Sequence, residues 1–124
     1  MKFHKIESDT LNIINAYDDG WIQIKTNKFE KNIIIFPESI ISNSPIQSLN
    51  DLSKKNLKGI FSFKPEIVLI GTEKKNFFLE RSLQTLFHKK NIAVEGMSLT
   101  SACRTFNILL AEQRRVILII IFGL

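Results

Sequence analysis

The pattern of apolar and polar positions in the first third of the chain predicts short strands. Leu11, Ile13 and Ile14 open a strand-like segment, "DDG" at 18–20 marks a turn, and "WIQIKT" at 21–26 alternates apolar and polar residues. "TNK" at 26–28 predicts the next turn. "FEKNIIIF" then predicts one strand that ends at Pro37, and "ESIIS" at 38–42 a further short strand. This third is therefore expected to be a run of antiparallel strands.

The pattern changes beyond residue 42, where polar residues and Pro45 interrupt the strands. Ser48 or Asn50 is predicted to cap a short helix around residues 50–57. The apolar run 67–70, closed by Gly71, is typical of a strand buried on both faces. Apolar residues at 78, 79, 83, 86 and 87 have helical spacing. "IAVEGM" at 92–97 predicts a strand, residues 99–113 a second helix, and "RRVILIIIF" a last buried strand.

The order of these elements predicts the fold class. A β-α-β-α-β order after residue 64 predicts parallel strand pairs with right-handed crossovers. We therefore expect an α/β fold: a single three-layer domain over residues 1–124, with a mixed central sheet and an additional antiparallel β layer from the N-terminal third. A chain of 124 residues, 44% of them hydrophobic, is long enough for such a core.

Composition and charge exclude several classes of site. A single cysteine cannot form an internal disulfide or a multi-cysteine zinc site, and neither a metal nor a cofactor is expected. The net charge of +5 comes from scattered basic pairs without a basic-aromatic motif, so we expect no nucleic-acid partner. The N-terminus lacks an apolar run of signal-peptide length, and the run 116–122 is shorter than the roughly 20 residues of a membrane span. A cytoplasmic location is expected.

The stretch "LTSACRTFNILLAEQRR" at 99–115 contains the cysteine and the richest chemistry. Apolar residues at 99, 102, 103, 106, 109 and 110 form one stripe of a helix, and Cys103 lies near its centre. A core thiol is the favoured interpretation. The alternative is a reactive thiol, because Cys103 lies early in the helix, where the helix dipole favours a thiolate. Its histidine partner would have to be His4 or His88.

The polar residues of this helix have structural and functional interpretations. Arg104 lies on the side opposite Cys103, with Ile108 and Ala111, where it is either a surface residue or a contact to an anion or a partner. Thr105 lies beyond them. Asn107 lies at the edge of the apolar stripe, where its amide is expected to tie the helix to a neighbouring loop. Glu112 and Arg115 are expected at the helix end, where they could form an ion pair.

The stretch "VLIGTEKKN" offers a second candidate site. Ligands of open α/β sheets bind at the carboxyl ends of strands, and Gly71 and Thr72 would supply close backbone approach and a hydroxyl there. Lys74 and Lys75 make the loop positive. It contains no phosphate-binding motif, so a turn glycine before a helix remains the alternative.

The segments "KPEIVLIGT" and "IAVEGMSLTSACRTFNILLAEQRRV" resemble the small conserved-protein family of unknown function that includes mitochondrial complex I (NADH dehydrogenase) assembly factor three and the adipogenesis-associated domain proteins. The resemblance implies the same three-layer α/β fold and a role in assembly or interaction, without an established catalytic activity. The chain departs from the family pattern at Glu73 and Gln113, where glycine is usual, and at Ser98, where an acidic residue is common. The family-like positions are Gly71, Thr72, Glu95, Met97, Cys103, Arg104, Thr105, Asn107, Glu112 and Arg115.

Two functional hypotheses follow from the sequence. The first is a non-enzymatic, assembly-factor-like interaction domain, linked by resemblance to respiratory or membrane-complex biogenesis. It would bind a protein partner, with peripheral association with a membrane complex allowed, as a monomer or a homodimer. The second is a small-molecule-binding protein or unrecognised enzyme that uses the Gly71-Thr72 loop and the Cys103-Arg104 helix. No catalytic residue is assigned, and the candidate binding surface consists of Gly71, Thr72, Arg104, Thr105, Asn107, Glu112 and Arg115.

Overall fold

The strands of the computed structural model, which describes residues 10–74 and 77–123, form two sheets. The first is a three-stranded antiparallel sheet in the order β1-β2-β3, with strands Ile14–Asp18, Trp21–Ile24 and Asn27–Phe29. The second is a five-stranded sheet in the order β5-β4-β8-β6-β7. Its strands, from β4 to β8, are Ile33–Ile35, Ile40–Ile41, Ile67–Thr72, Ala93–Ser98 and Val116–Ile121.

The central sheet is mixed, and helices cover its faces. β8 and β7 both run parallel to β6, whereas β4 runs antiparallel to β8 and to β5. A 3-10 turn at Leu49–Asp51 precedes helix α1, which spans Lys58–Phe63. Helix α2, Arg81–His88, joins β6 to β7, and helix α3, Leu99–Ala111, joins β7 to β8. The predicted β-α-β-α-β order of the C-terminal half is confirmed.

The core lies on both faces of the central sheet, as β8 shows. All six residues of β8 are buried, and alternate side chains point to opposite faces of a strand. Leu118 and Ile120 join a cluster with α3 and the three-stranded sheet. Ile117 and Ile119 join a second cluster with α1 and α2. The three-layer α/β prediction, with an added antiparallel β layer, is therefore confirmed.

The strand predicted from "FEKNIIIF" is wrong, because the chain changes sheets within it. β3 ends at Phe29 and β4 begins at Ile33, in different sheets. Asn32, which is buried, fixes the crossing: its amide donates to Gln47 Oε1 at 3.2 Å, and its Oδ1 accepts from the N–H of Phe122 at 2.7 Å. The turn predicted at 26–28 also shifts, because Lys25 adopts a left-handed conformation and β3 begins at residue 27.

Two predicted helices have different bounds in the structure. Residues 50–57 do not form the expected helix: the 3-10 turn begins after Ser48, whose N–H donates to the Asp51 carboxylate at 3.2 Å, and α1 starts only at residue 58. α2 starts at residue 81, not near residue 78. The segment 77–80 precedes the helix: the Phe77 ring lies against Gly96 of β7, and Phe78 is 79% exposed.

Candidate functional site

Gly71 lets helix α3 approach strand β6. Gly71 is buried, and a Cβ atom there would lie 2.7 Å from the Cβ of Ala102 and 3.6 Å from the Cα of Leu99. No ordinary side-chain contact is that short, so the two elements can approach this closely only around glycine. The close backbone approach predicted at Gly71 is therefore directed to α3.

Thr72 lies at the carboxyl end of β6, beside an open groove. It is completely buried, and its hydroxyl accepts a hydrogen bond from the N–H of Lys74 at 3.0 Å. Ser98, on the same groove, caps α3 by accepting from the N–H of Ser101 at 3.3 Å. The groove has a volume of about 520 Å³ and is also lined by Phe77, Met97, Leu99 and Thr100. Both hydroxyls thus serve the local backbone.

Glu73 joins three parts of the chain at this end of the sheet. One of its carboxylate oxygens accepts from the N–H of Gly20, in the turn between β1 and β2, at 2.5 Å. The other accepts from the N–H of Gly123, just after β8, at 3.2 Å. The carboxylate thus occupies two backbone donors and fixes the three-stranded sheet to the central sheet. The sequence interpretation missed this role; the only signal for it was an acidic residue at a position where the family pattern has glycine.

Cys103 lies in the core between α3 and the sheets. It is completely buried, and this burial raises the pKa of its thiol to about 12 from an ordinary value of 9.0. A thiol with that pKa is protonated at neutral pH and is a poor nucleophile. Among the described residues, His88 is exposed on α2, which packs on the opposite face of the central sheet. His4 lies outside the described residues.

Asn107 ties α3 to the three-stranded sheet. Its Oδ1 accepts from the N–H of Ile14 at 2.8 Å, and its Nδ2 donates to the carbonyl of the same residue at 2.8 Å. The side chain thus pairs with the backbone of Ile14 at the start of β1, beside an irregularity in the pairing of β1 with β2. The tie predicted from the sequence is present, although it reaches a strand end and not a loop.

The outer face of α3 carries Arg104 and Ile108. Arg104 is exposed and makes no hydrogen bond or ion pair within the described ranges of the chain. Ile108, one helical turn further on, is 53% exposed. Thr105 is half-buried on the neighbouring flank. Of the charged candidate residues, Arg104 is the one that has no bonding partner within the described ranges.

Glu112 and Arg115 lie at the opposite end of the sheet from Thr72. The expected ion pair between them is not formed: Arg114 instead pairs with Glu66 at 3.1 Å and lies 4.0 Å from Glu112. The guanidinium of Arg115 donates to the carbonyls of Phe63 and Lys64 at the end of α1 and lies over the Phe63 ring. Its backbone N–H donates to Glu66, and this bond, together with the Arg114 side chain, lowers the pKa of Glu66. Arg115 is thus engaged in the fold.

The turn at Gln113 forms in spite of the missing glycine. Gln113 has a φ of 61°, and the N–H groups of Gln113 and Arg114 donate to the carbonyls of Leu110 and Leu109. This is the Schellman pattern, which usually has glycine at the left-handed position.

The candidate residues do not form one site. Thr72 pairs with Ile121, and Ile67, at the other end of β6, pairs with Val116, which follows Arg115. These two ends are about 16 Å apart at roughly 3.3 Å per residue. The structure brings Gly71 and Thr72 together with the start of α3 and leaves Glu112 and Arg115 at the far end.

Within residues 10–74 and 77–123, acidic, histidine and cysteine side chains form no group of three able to hold a metal ion. None of the helices in these ranges has the length and hydrophobicity needed to cross a membrane.

Comparison with known proteins assigns the chain to a family. Residues 14–121 match the family described as proteins of unknown function, DUF498/DUF598. The chain belongs to this family. The relatives of the family include the 13 kDa major membrane protein of Francisella tularensis, which is 27% identical over 106 residues that cover 85% of this chain and 86% of the relative.

Two further comparisons agree with the family assignment. The bovine NADH dehydrogenase [ubiquinone] 1 alpha subcomplex assembly factor 3 is 26% identical over 110 residues, which cover 87% of this chain but only 59% of that protein. The chain thus spans little more than half the length of this relative. A crystal structure of a Bordetella parapertussis protein is 31% identical, superposes with a TM-score of 0.79 and covers 90% of this chain and 96% of that one. The resemblance identified from the sequence is confirmed.

Proposed function

We propose that this chain is a non-enzymatic interaction domain that binds a protein partner during the assembly of a respiratory or other membrane complex. The outer face of α3, formed by Arg104, Ile108 and Ala111, is the contact surface. The cytoplasmic location expected from the sequence is part of the proposal. Relatives named as an assembly factor and as a major membrane protein support it.

The contrast between the inner and outer sides of α3 carries the proposal. Cys103 is buried in the core and Asn107 is bonded to β1, so the two groups on α3 with the most distinctive chemistry serve the fold. The outer side presents an arginine with no bonding partner within the described ranges next to a large exposed apolar side chain. Arginine beside an apolar residue is a combination enriched at protein interfaces.

A charge-reversal pair tests this surface. The tagged full-length chain, its Arg104→Glu variant and its Arg81→Glu variant are expressed at equal levels in the source cells and purified with their partners. Arg81 is an exposed arginine on α2 and provides a matched charge change elsewhere. We expect the same partner set with the parent and with Arg81→Glu. Arg104→Glu should lower recovery about tenfold or more, equivalent to at least about 1.4 kcal/mol of binding energy. Equal recovery with both variants would show that α3 is not the contact, and recovery no higher than from untagged cells would refute the partner role.

The groove beside Thr72 supports the second candidate function, binding of a small molecule. Its volume of about 520 Å³ lies within the usual range of ligand pockets. Titration of the labelled chain with a metabolite library, followed by NMR, tests it. A saturable shift of the Thr72 and Ser98 amides would favour binding, and unperturbed amides at millimolar ligand would remove this candidate.

A further inference from the structure

Strand β7 is an open edge of the central sheet. It pairs in register with β6 over all six of its residues, from Ala93 to Ser98, and lies last in the strand order. Within the described ranges no strand pairs with its outer side, and four of its residues are exposed. Natural sheets usually protect such an edge with proline, lysine or a bulge. β7 has none of these; its only charge is Glu95.

The direction of the backbone groups on β7 follows from one hydrogen bond. The N–H of Ala93 donates to the carbonyl of Glu66 on the β6 side, at 3.0 Å. Successive residues of a strand direct their backbone N–H and C=O groups to opposite sides. The backbone groups of Glu95 and Met97 therefore also point to β6. Val94 and Gly96 therefore direct theirs outward, and so does the N–H of Ser98, whose carbonyl begins helix α3. Gly96 lies at the centre of this free row.

We propose that β7 is the surface through which two copies of this chain associate, with antiparallel β7 strands related by a two-fold axis at Gly96. The two Gly96 residues exchange both of their hydrogen bonds. The N–H of Ser98 in each copy donates to the carbonyl of Val94 in the second copy. The two five-stranded sheets become one continuous sheet.

Strand length and charge together favour this register. Residues directly opposite across an antiparallel pair lie on the same face, so the axis must pass through a residue. An axis at Glu95 would place two carboxylates opposite each other in a non-hydrogen-bonded pair with Cα atoms only about 4.5 Å apart. The axis at Gly96 instead places Glu95 opposite Met97 of the second copy and puts no side chain on the axis itself. In this register all three outward-facing residues of β7 meet an outward-facing residue of the second copy.

The flank of α3 beside β7 extends the contact. Asn107 faces β1, and Thr105 lies about 160° around the helix from it, on the side of β7. The half-buried Leu109 lies on the same flank, and the exposed Ile108 lies at its border. In a two-fold arrangement these side chains approach their counterparts above the joined strands. The association does not depend on the assembly role proposed above.

Cysteine cross-linking tests the register. Glu95→Cys and Met97→Cys variants are oxidised separately and as a mixture, and covalent dimers are separated by mass. The native Cys103 is buried and stays out of the reaction. We expect a covalent dimer from the mixture, because residues 95 and 97 oppose each other, and little from either variant alone. A dimer from Glu95→Cys alone, or none from the mixture, would overturn the register.

The solution mass tests the association itself. The parent chain and the Val94→Ala control should have twice the mass of one chain by light scattering. Val94→Pro replaces an outward N–H with a ring carbon in the path of the second strand and leaves the bonds to β6 intact. This variant should have the mass of one chain and an unchanged fold by circular dichroism. A parent chain that stays monomeric up to roughly 1 mM would refute the proposal. So would a Val94→Pro variant that stays dimeric. If Val94→Pro does not fold, the cross-linking result decides.

Discussion

Replacement of Gly71 by alanine should destabilise the protein by about 1–3 kcal/mol, the usual range for overpacking a core. The added Cβ would lie 2.7 Å from the Cβ of Ala102, where ordinary van der Waals contact begins near 3.4 Å. Both atoms are attached directly to backbone, so no rotamer change can relieve the contact. Helix and strand must separate by several tenths of an ångström, and the adjoining contacts of Cys103 and Phe106 with the sheet weaken with them.

Ala102→Gly removes the methyl group that a Cβ at residue 71 would meet, so it should compensate for Gly71→Ala. Ala102→Gly alone should destabilise by about 2 kcal/mol, since it places glycine in a helix and removes a buried methyl group. In the double variant the methyl group moves from the helix to the strand, and only the helix propensity penalty of about 1 kcal/mol remains. The double variant should therefore be at least as stable as Gly71→Ala, with a coupling of about 2–4 kcal/mol between the sites.

Urea unfolding followed by circular dichroism measures these free energies, and the four proteins form a double-mutant cycle. Gly59→Ala provides the control, because a Cβ at Gly59 in α1 meets no atom within 4 Å. That change should be neutral or stabilising by up to about 1 kcal/mol. The reasoning is refuted if Gly71→Ala behaves like Gly59→Ala, or if the two changes at Gly71 and Ala102 are simply additive.

Four further predictions test individual contacts. Cys103 should react with a thiol probe at neutral pH roughly a thousandfold more slowly than in guanidinium-unfolded protein, since its pKa is raised to about 12, and equal rates would contradict its burial. Asn107→Ala should lower the free energy of unfolding by about 1–3 kcal/mol and speed hydrogen exchange of the Ile14 amide, because both backbone groups of Ile14 lose their partner. Gln113→Gly should raise stability in urea by about 0.5–1 kcal/mol, because it relieves a left-handed glutamine, and a decrease would contradict the strain argument. The lowered pKa of Glu66 means that its bonds stabilise the fold above pH 4.5 and are lost as pH falls through the lowered value, so the stability difference between parent and Glu66→Gln should shrink in acid and stay constant above pH 6.

The C-terminal half of the fold could be predicted because its signals are local and agree with each other. The uninterrupted apolar run of β8 indicated burial on both faces, and all six residues are buried. The stripe around Cys103 and Phe106 indicated the buried face of α3, and those residues lie in the core. In both cases the hydrophobic period alone identified the element and its buried side.

The errors occur where a tertiary contact overrides the local pattern. The apolar residues on both sides of Asn32 have the pattern of one strand, but the hydrogen bonds of Asn32 to Gln47 and Phe122 come from segments distant in sequence. Leu79 has helical spacing with Leu83, yet Phe77 packs across Gly96 and the segment 77–80 lies outside the helix. Neither contact leaves a periodic signal in the sequence.

The candidate site was only partly predictable for a similar reason. Sequence identifies which residues carry chemistry, but it does not show whether that chemistry is already satisfied. Thr72 and Arg115 are polar and family-like. The hydroxyl of Thr72 accepts from the N–H of Lys74, and the guanidinium of Arg115 donates to the carbonyl of Lys64. Glu73 departs from the family pattern, and its carboxylate holds two backbone N–H groups of the protein itself.

Candidate side chains that are already bonded within the fold are less suited to bind another molecule. The backbone N–H groups of Gly20 and Gly123 are bonded to Glu73, and the thiol of Cys103 is enclosed by the core. Within the described ranges, the side chains on the outer face of α3 and the outward backbone groups of β7 are free to bind. These surfaces adjoin at Thr105 and Ile108 but use different chemistry: side-chain charge and apolar area on the helix, and main-chain hydrogen bonds on the strand. Association through β7 would leave Arg104 exposed in both copies, so each dimer would offer two equivalent surfaces to a partner. Partner binding by a Val94→Pro monomer should then remain detectable but lose the avidity that two linked sites provide.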